Sequence, residues 1–274
     1  MNSNQRRKPV SSKYKTEKQT GKGPVKRKMG PQKKEEDLIR LNKYIAAAGI
    51  CSRREADDLI QAGLVSVNGE IISEMGYKVR KIDDVRYNGE RIKSEKPVYI
   101  LLNKPKDFIT TVKDPHAPKN VMMLIKNACR ERVYPVGRLD RNTTGVLLFT
   151  NDGELAKKLT HPSHNKKKIY HITLDKSLTN AHFKQILEGL ELEDGFIQAD
   201  DLSYTDPNDR KKVGLEIHSG RNRIVRRIFE HLGYRVKKLD RAYFAGLTKK
   251  GLTRGHWRFL TEQELNMLKT GKYQ

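Results

Sequence analysis

The spacing of apolar residues changes character near residue 37. Beyond it, Leu41, Tyr44, Ile45 and Ala48 recur at helical intervals, and Gly49 is placed to end the helix. Ser52-Arg53-Arg54-Glu55 is a capping-box pattern and predicts a second helix, with Ala56, Leu59 and Ile60 inward and Gly63 at its end. Residues 65–72 alternate around Asn68-Gly69, the signal of a tight hairpin. After a linker around Ser94-Glu95-Lys96-Pro97, residues 98–102 predict a strand ended by Asn103-Lys104-Pro105, and residues 121–129 a short helix. Val146-Leu147-Leu148-Phe149-Thr150 has the length and composition of a buried strand. The turn Asn151-Asp152-Gly153 leads into a short helix over 154–160, and residues 166–174 are a basic run entering an alternating strand. A helix over 178–190, with Phe183, Ile186 and Leu187 inward, precedes strands over 195–204 and 213–218 that flank a turn at 206–209. Ile224, Val225, Ile228, Phe229 and Leu232 form one face of a further helix. A strand-like stretch over 239–247, the segment 255–260 and a helix from Thr261 close the chain. Strands and helices mixed in this order predict an α+β fold.

Composition adds a partner. The chain has 274 residues, room for about two domains. Its 56 Lys and Arg stand against 33 Asp and Glu, a net charge of +23 that repels itself and suits a polyanion. Nucleic acid is the first expectation and an anionic membrane surface the second. No apolar run approaches the roughly 20 residues of a spanning helix, and the polar N-terminus has no apolar core of a signal peptide. Residues 1–36 are dense in Lys and Arg, with Glu17 the single acid before residue 35. Too few apolar residues occur there to bury, so disorder is expected, and its charge suits a salt-sensitive tether on RNA phosphates. Cys51 and Cys129 stand far apart in no metal spacing, which fits free thiols in a reducing, cytoplasmic compartment.

Two stretches carry candidate chemistry. In Gly137-Arg138-Leu139-Asp140-Arg141-Asn142-Thr143-Thr144-Gly145 a lone aspartate lies between two arginines on a glycine-bracketed loop ahead of the buried strand. Such an aspartate is commonly a turn residue bonded to nearby amides. Beside guanidinium groups it is also a carboxylate held ionised, fit to act as nucleophile or electrostatic stabiliser. In the second stretch, residues 219–233, Arg223, Arg226 and Arg227 fall opposite the apolar helix face, just after Gly220. That is a solvated basic helix or a site for phosphate or carboxylate. His161, His164 and His171 gather between these stretches, but Pro162 breaks the register and no acid or cysteine stands at ligand spacing, so no metal site is expected.

The string G-R-L-D-x-x-T-x-G-V-L-L from Gly137 to Leu148 resembles the signature of the pseudouridine synthases. Three further stretches resemble parts of the same enzymes. R-L-N-K-Y-I-x-x-x-G-x-x-S-R-R-E-A, from Arg40, is similar to an S4-type RNA-binding domain. Lys168, Tyr170 and Ile172 match a K-x-Y-x-V-like strand, with Ile in place of Val. G-R-N-R-x-V-R-R-x-F resembles the last motif, although Ile224 stands where Gln is frequent. Past the basic tail over 1–36, the resemblance implies an S4-like module over 37–96 and a catalytic domain over 97–274 built on a mixed, largely antiparallel sheet. It implies isomerisation of uridine to pseudouridine in ribosomal RNA, with Arg221-Asn222-Arg223 more like the large-subunit (23S) enzymes. Asp140 would be the nucleophile, Arg226 its partner, and Tyr170 the residue packed on uracil. Arg138 would fill the gap left by the flipped uridine, and Arg40, Lys43, Arg53, Arg54, Arg221, Arg223 and Arg227 would contact RNA. The isomerisation neither gains nor loses atoms, so no cofactor is expected; the partner is ribosomal RNA or a pre-ribosomal particle, no membrane is involved, and the chain is expected to be a monomer. The competing reading is a non-catalytic RNA-binding assembly factor on the same scaffold.

Overall fold

A computed structural model describes residues 38–112 and 119–272. The basic tail and His116 lie outside the described residues. Helices α1 (Leu41–Ala47) and α2 (Arg53–Gln61) form where the apolar spacing predicts them. Ser52 accepts a hydrogen bond from the Glu55 amide while the Glu55 carboxylate accepts one from the Ser52 amide, completing the capping box. Asn68 and Gly69 both take positive φ, 52° and 91°, at the turn between strands Val65–Val67 and Glu70–Ile71. A second Asn-Gly turn at Asn88-Gly89 extends this to four strands. Leu41, Ile45, Ala56, Ile60, Val65, Val67, Val79 and Val85 form the core of this part. The segment predicted as a linker is tied down, since Glu95 Oε2 accepts from Asn151 Nδ2 at 3.2 Å.

The larger part is built on one sheet. Its main path runs Asp201–Tyr204, Lys212–Ile217, Lys168–Leu174, Val236–Phe244, Thr143–Thr150, Tyr99–Lys104 and Trp257–Phe259. The pairing of Val236–Phe244 with Thr143–Thr150 is parallel, and the other pairings of this sheet are antiparallel. In Tyr99–Lys104 and Thr143–Thr150 every residue is buried. Leu101, Val146 and Leu148 face one core with α3 (Gly153–Thr160). Ile100, Leu102, Leu147 and Phe149 face another beneath the one-turn helix Val121–Ile125. Cover on both faces explains the unbroken apolar runs in the sequence.

Helices α4 (Asn180–Glu188) and α5 (Ile224–His231) cover the other end of the sheet, packing on Ile172, Leu202 and Leu215. Helix α6 (Glu262–Thr270) begins at the Thr261 cap. Two expectations need correction. The helix over 121–129 reaches only Ile125, as a 3-10 turn. The strand over 195–204 is two strands: Gly195–Ile197 folds back on Leu190–Leu192, whereas Asp201–Tyr204 joins the main sheet. The Ala199 amide donates to the Ile186 carbonyl of α4, drawing the chain out of line between them.

Candidate active site

The loop carrying Asp140 is fixed by its backbone, which leaves its side chain available. Leu139 is buried, and its amide and carbonyl both engage the Thr110 hydroxyl, at 3.2 and 2.7 Å. Lys104, with no exposed surface, brings its ammonium to the carbonyls of Pro105, Asp140, Arg141 and Thr143 at 2.8–3.2 Å. Burial lowers the Lys104 pKa to about 8, and the neighbouring Asp140 and Asp107 oppose that shift. Downstream, Gly145 has φ +107°, and a Cβ there would lie 2.7 Å from the Arg241 amide nitrogen. Only glycine admits the parallel strand at that distance, which accounts for the last residue of the D-x-x-T-x-G pattern.

The Asp140 carboxylate, 39% exposed, lines a cleft of about 170 Å³. Arg226 approaches it from the first turn of α5, with Nε 3.7 Å from Asp140 Oδ2. The Arg226 side chain is 11% exposed, and its Nη1 donates to the Val236 carbonyl at 3.1 Å, so its direction is set by protein. Tyr170, buried on the Lys168–Leu174 strand, lines the same cleft. Opposite it on the neighbouring strand Arg241, which lines the cleft too, is buried, and its Nε and Nη2 donate to the Val146 carbonyl at 2.9 and 2.7 Å. Burial lowers the Arg241 pKa, and Tyr170 opposes the shift. Lys168 Nζ donates to the His218 and Ser219 carbonyls at 2.7 and 3.1 Å, holding the segment that leads to α5. Its pKa falls to about 8, by burial first and then by the nearby Arg241 charge.

The structure therefore brings Arg138, Asp140, Tyr170, Arg221, Arg223 and Arg226 to one cleft. Arg138 is exposed there. Arg223 precedes α5 with φ 48° and reaches Glu230 at 3.2 Å. Arg227 is engaged elsewhere, by both carboxylate oxygens of Asp194, at 2.7 and 2.8 Å. That pairing holds the Asp194 pKa at about 2. Among the S4-like residues, Arg40, Arg53 and Arg54 are exposed, but Lys43 pairs with Glu154 at the start of α3. His161 and His164 pack edge to face with ring centres 6.0 Å apart. No group of three or more His, Cys, Asp or Glu among the described residues is arranged to hold a metal.

Sequence reasoning assigned no role to Lys104, Thr143 or Arg241. Lys104 carried one clue, a lysine that ends an apolar strand just before proline, but its acceptors lie 36–39 residues away apart from Pro105. Thr143 Oγ1 is buried, has no hydrogen-bond partner among the described residues, and belongs to a residue lining the cleft.

Comparison with known proteins bears on this arrangement. Residues 98–231 match the family model described as RNA pseudouridylate synthase, and residues 39–85 match the S4 domain. The chain is 41% identical over 235 residues to ribosomal large subunit pseudouridine synthase B of Bacillus subtilis (strain 168), covering 85% of this chain and 96% of that protein. It is 35% identical over 230 residues to the dual-specificity RNA pseudouridine synthase RluF of Escherichia coli (strain K12), covering 83% of this chain and 77% of that protein. A crystal structure of a pseudouridylate synthase superposes with a TM-score of 0.61 at 28% identity, covering 84% of this chain and 99% of that one.

Proposed function

The chain belongs to the RNA pseudouridylate synthase family and carries an S4 domain, and we propose that it converts a specific uridine of large-subunit ribosomal RNA to pseudouridine, with Asp140 as the nucleophile. The observation that carries this reading is the meeting of the Asp140 carboxylate, the Arg226 guanidinium and Tyr170 in one cleft. The printed name of the Bacillus subtilis relative is the ground for choosing the large subunit.

Each step of the isomerisation has a residue suited to it. The bond from C1′ to uracil N1 breaks, the base turns, a bond from C1′ to C5 forms, and the C5 proton leaves to solvent while N1 gains one. Asp140 attacks either C1′ or the base, and the departing carboxylate is regenerated, so the reaction is atom-neutral. Arg226, held by the Val236 carbonyl, aims that carboxylate. Tyr170, buried at the cleft, is suited to pack its ring on uracil and to help remove the C5 proton. A duplex hides both reacting atoms, so the uridine must flip out at a cost of a few kcal/mol. Arg138, exposed at the cleft, is suited to the space left behind.

RNA docking falls to the module over residues 37–96, through Arg40, Arg53 and Arg54, and catalysis to residues 97–274. The tail over 1–36 adds affinity through phosphate neutralisation, which salt weakens. Action on ribosomal RNA puts the protein in the cytoplasm. Pseudouridine mapping of ribosomal RNA from cells lacking this chain tests the proposal. One large-subunit position should revert to uridine, and return when the wild-type gene is restored. An unchanged map would overturn the assignment.

A further inference from the structure

A second cavity, of about 530 Å³, opens beside the Asp140 cleft and shares Thr160, Lys168, Ser219, Gly220 and Arg221 with it. One of its walls is Phe196, whose side chain is 54% exposed at the end of the short hairpin Leu190–Leu192 to Gly195–Ile197. A single exposed phenylalanine is ordinary. This one is held in place. Arg221 donates from Nη1 to the Gly195 carbonyl at 2.9 Å and from Nη2 to the Phe196 carbonyl at 3.0 Å. Arg227 grips Asp194 in the same turn with two bonds. The ring edge rests on Gly189, where a Cβ would overlap it. Two arginines from the stretch that supplies Arg226 thus fix the hairpin carrying Phe196 beside the active cleft.

Around the ring the cavity is lined by the cations Lys166, Lys168 and Arg221, with His161 and His218 beside them. His218 is bonded to Asp200 at 2.7 Å and His161 to Ser163 at 2.7 Å, so both imidazoles have set directions. An immobilised aromatic face amid basic groups, continuous with a site that receives a flipped nucleotide, has the character of a stacking platform for RNA. When a uridine leaves its stack, its neighbours lose a partner, and an aromatic face can replace it.

Resting on the function proposed above, the geometry points to a second nucleotide site: Phe196 stacks an unpaired base of the substrate RNA, within two positions of the target uridine. The site selects RNA by requiring a neighbour that can unstack.

The test uses the full chain and ribosomal RNA isolated from cells lacking it. Phe196→Ala should lower kcat/KM about five- to 150-fold, the range of one lost base–aromatic stack, mainly through KM. Phe196→Trp should stay within about twofold of wild type, because the larger ring still stacks. A photoreactive benzoylphenylalanine at position 196 should crosslink within two nucleotides of the uridine that the wild-type chain converts. Wild-type kinetics for Phe196→Ala, or crosslinks only to distant nucleotides, would overturn the site while leaving the synthase reading intact. If the wild-type chain converts no uridine, that reading fails and the second site fails with it.

Discussion

Arg226 Nε lies 3.7 Å from Asp140 Oδ2, and the two residues come from segments more than eighty positions apart in the chain. The distance is longer than a direct hydrogen bond, whereas the Arg226 bond to the Val236 carbonyl is 3.1 Å. Arg226 is thus anchored by the backbone, and its charge faces the carboxylate without being locked to it. In the proposed mechanism, a partner of this kind holds the carboxylate in line and lets it move toward carbon during attack.

Arg226→Ala should therefore lower kcat about a hundredfold or more, the scale of a misplaced reacting group. RNA affinity should change little, because Arg226 is largely covered. The loss should be far from additive with that of Asp140→Asn, since residues that act as a unit fail as a unit. Single-turnover rates for the two variants and the double variant measure this. Additive losses would mean the pair does not act together.

Gly145→Ala should destabilise the fold by about 3 kcal/mol or more. Its φ is +107°, and the added methyl would meet the backbone of Arg241. Gly69→Ala is the control: φ is +91°, but nothing lies within 4 Å of the new atom. That change should cost about 1–2 kcal/mol, the strain of the left-handed region. Equal losses in urea unfolding would contradict the close strand approach.

Lys104 links stability to pH. Its pKa is 10.5 when free and about 8 in the fold, lowered chiefly by burial. Between these values the unfolded chain binds more protons, so the contribution of Lys104 to stability rises with pH. Its penalty is complete below the folded value and relieved as pH climbs to the unfolded one. Compared with Lys104→Met, the wild-type chain should gain up to about 1.4 kcal/mol per pH unit across this window. Urea unfolding of both proteins over that range is the measurement, and a pH-independent difference would contradict the assignment. Lys104→Met should also slow turnover, because the carbonyls of Asp140, Arg141 and Thr143 lose their shared donor.

Local signals explain what the sequence made legible. Ser52 and Glu55, Asn68-Gly69, and the capped start of α6 at Thr261 are settled within four residues, and each formed as its chemistry predicts. The motif around Asp140 identified the loop, and the motif around Arg226 identified its partner. What stayed hidden depends on distant chain. Nothing near Lys104 announces that its acceptors include the Asp140 loop, and nothing near Arg227 points to Asp194, 33 residues back. Nothing near Lys43 announces its ion pair with Glu154, 111 residues on. The break in the strand over 195–204 also arises outside the segment, from a carbonyl of α4.

In the proposed mechanism the Asp140 carboxylate makes and breaks the bonds of the isomerisation. Asp140→Asn keeps the shape of the side chain and removes its charge. Tritium release from C5-labelled uridine in ribosomal RNA from cells lacking the chain reads the reaction directly. The wild-type chain should release tritium, and Asp140→Asn should release none above background while binding the RNA with affinity within about threefold of wild type, since the residue acts on one nucleotide rather than on phosphates. Undiminished release by Asp140→Asn would contradict the account.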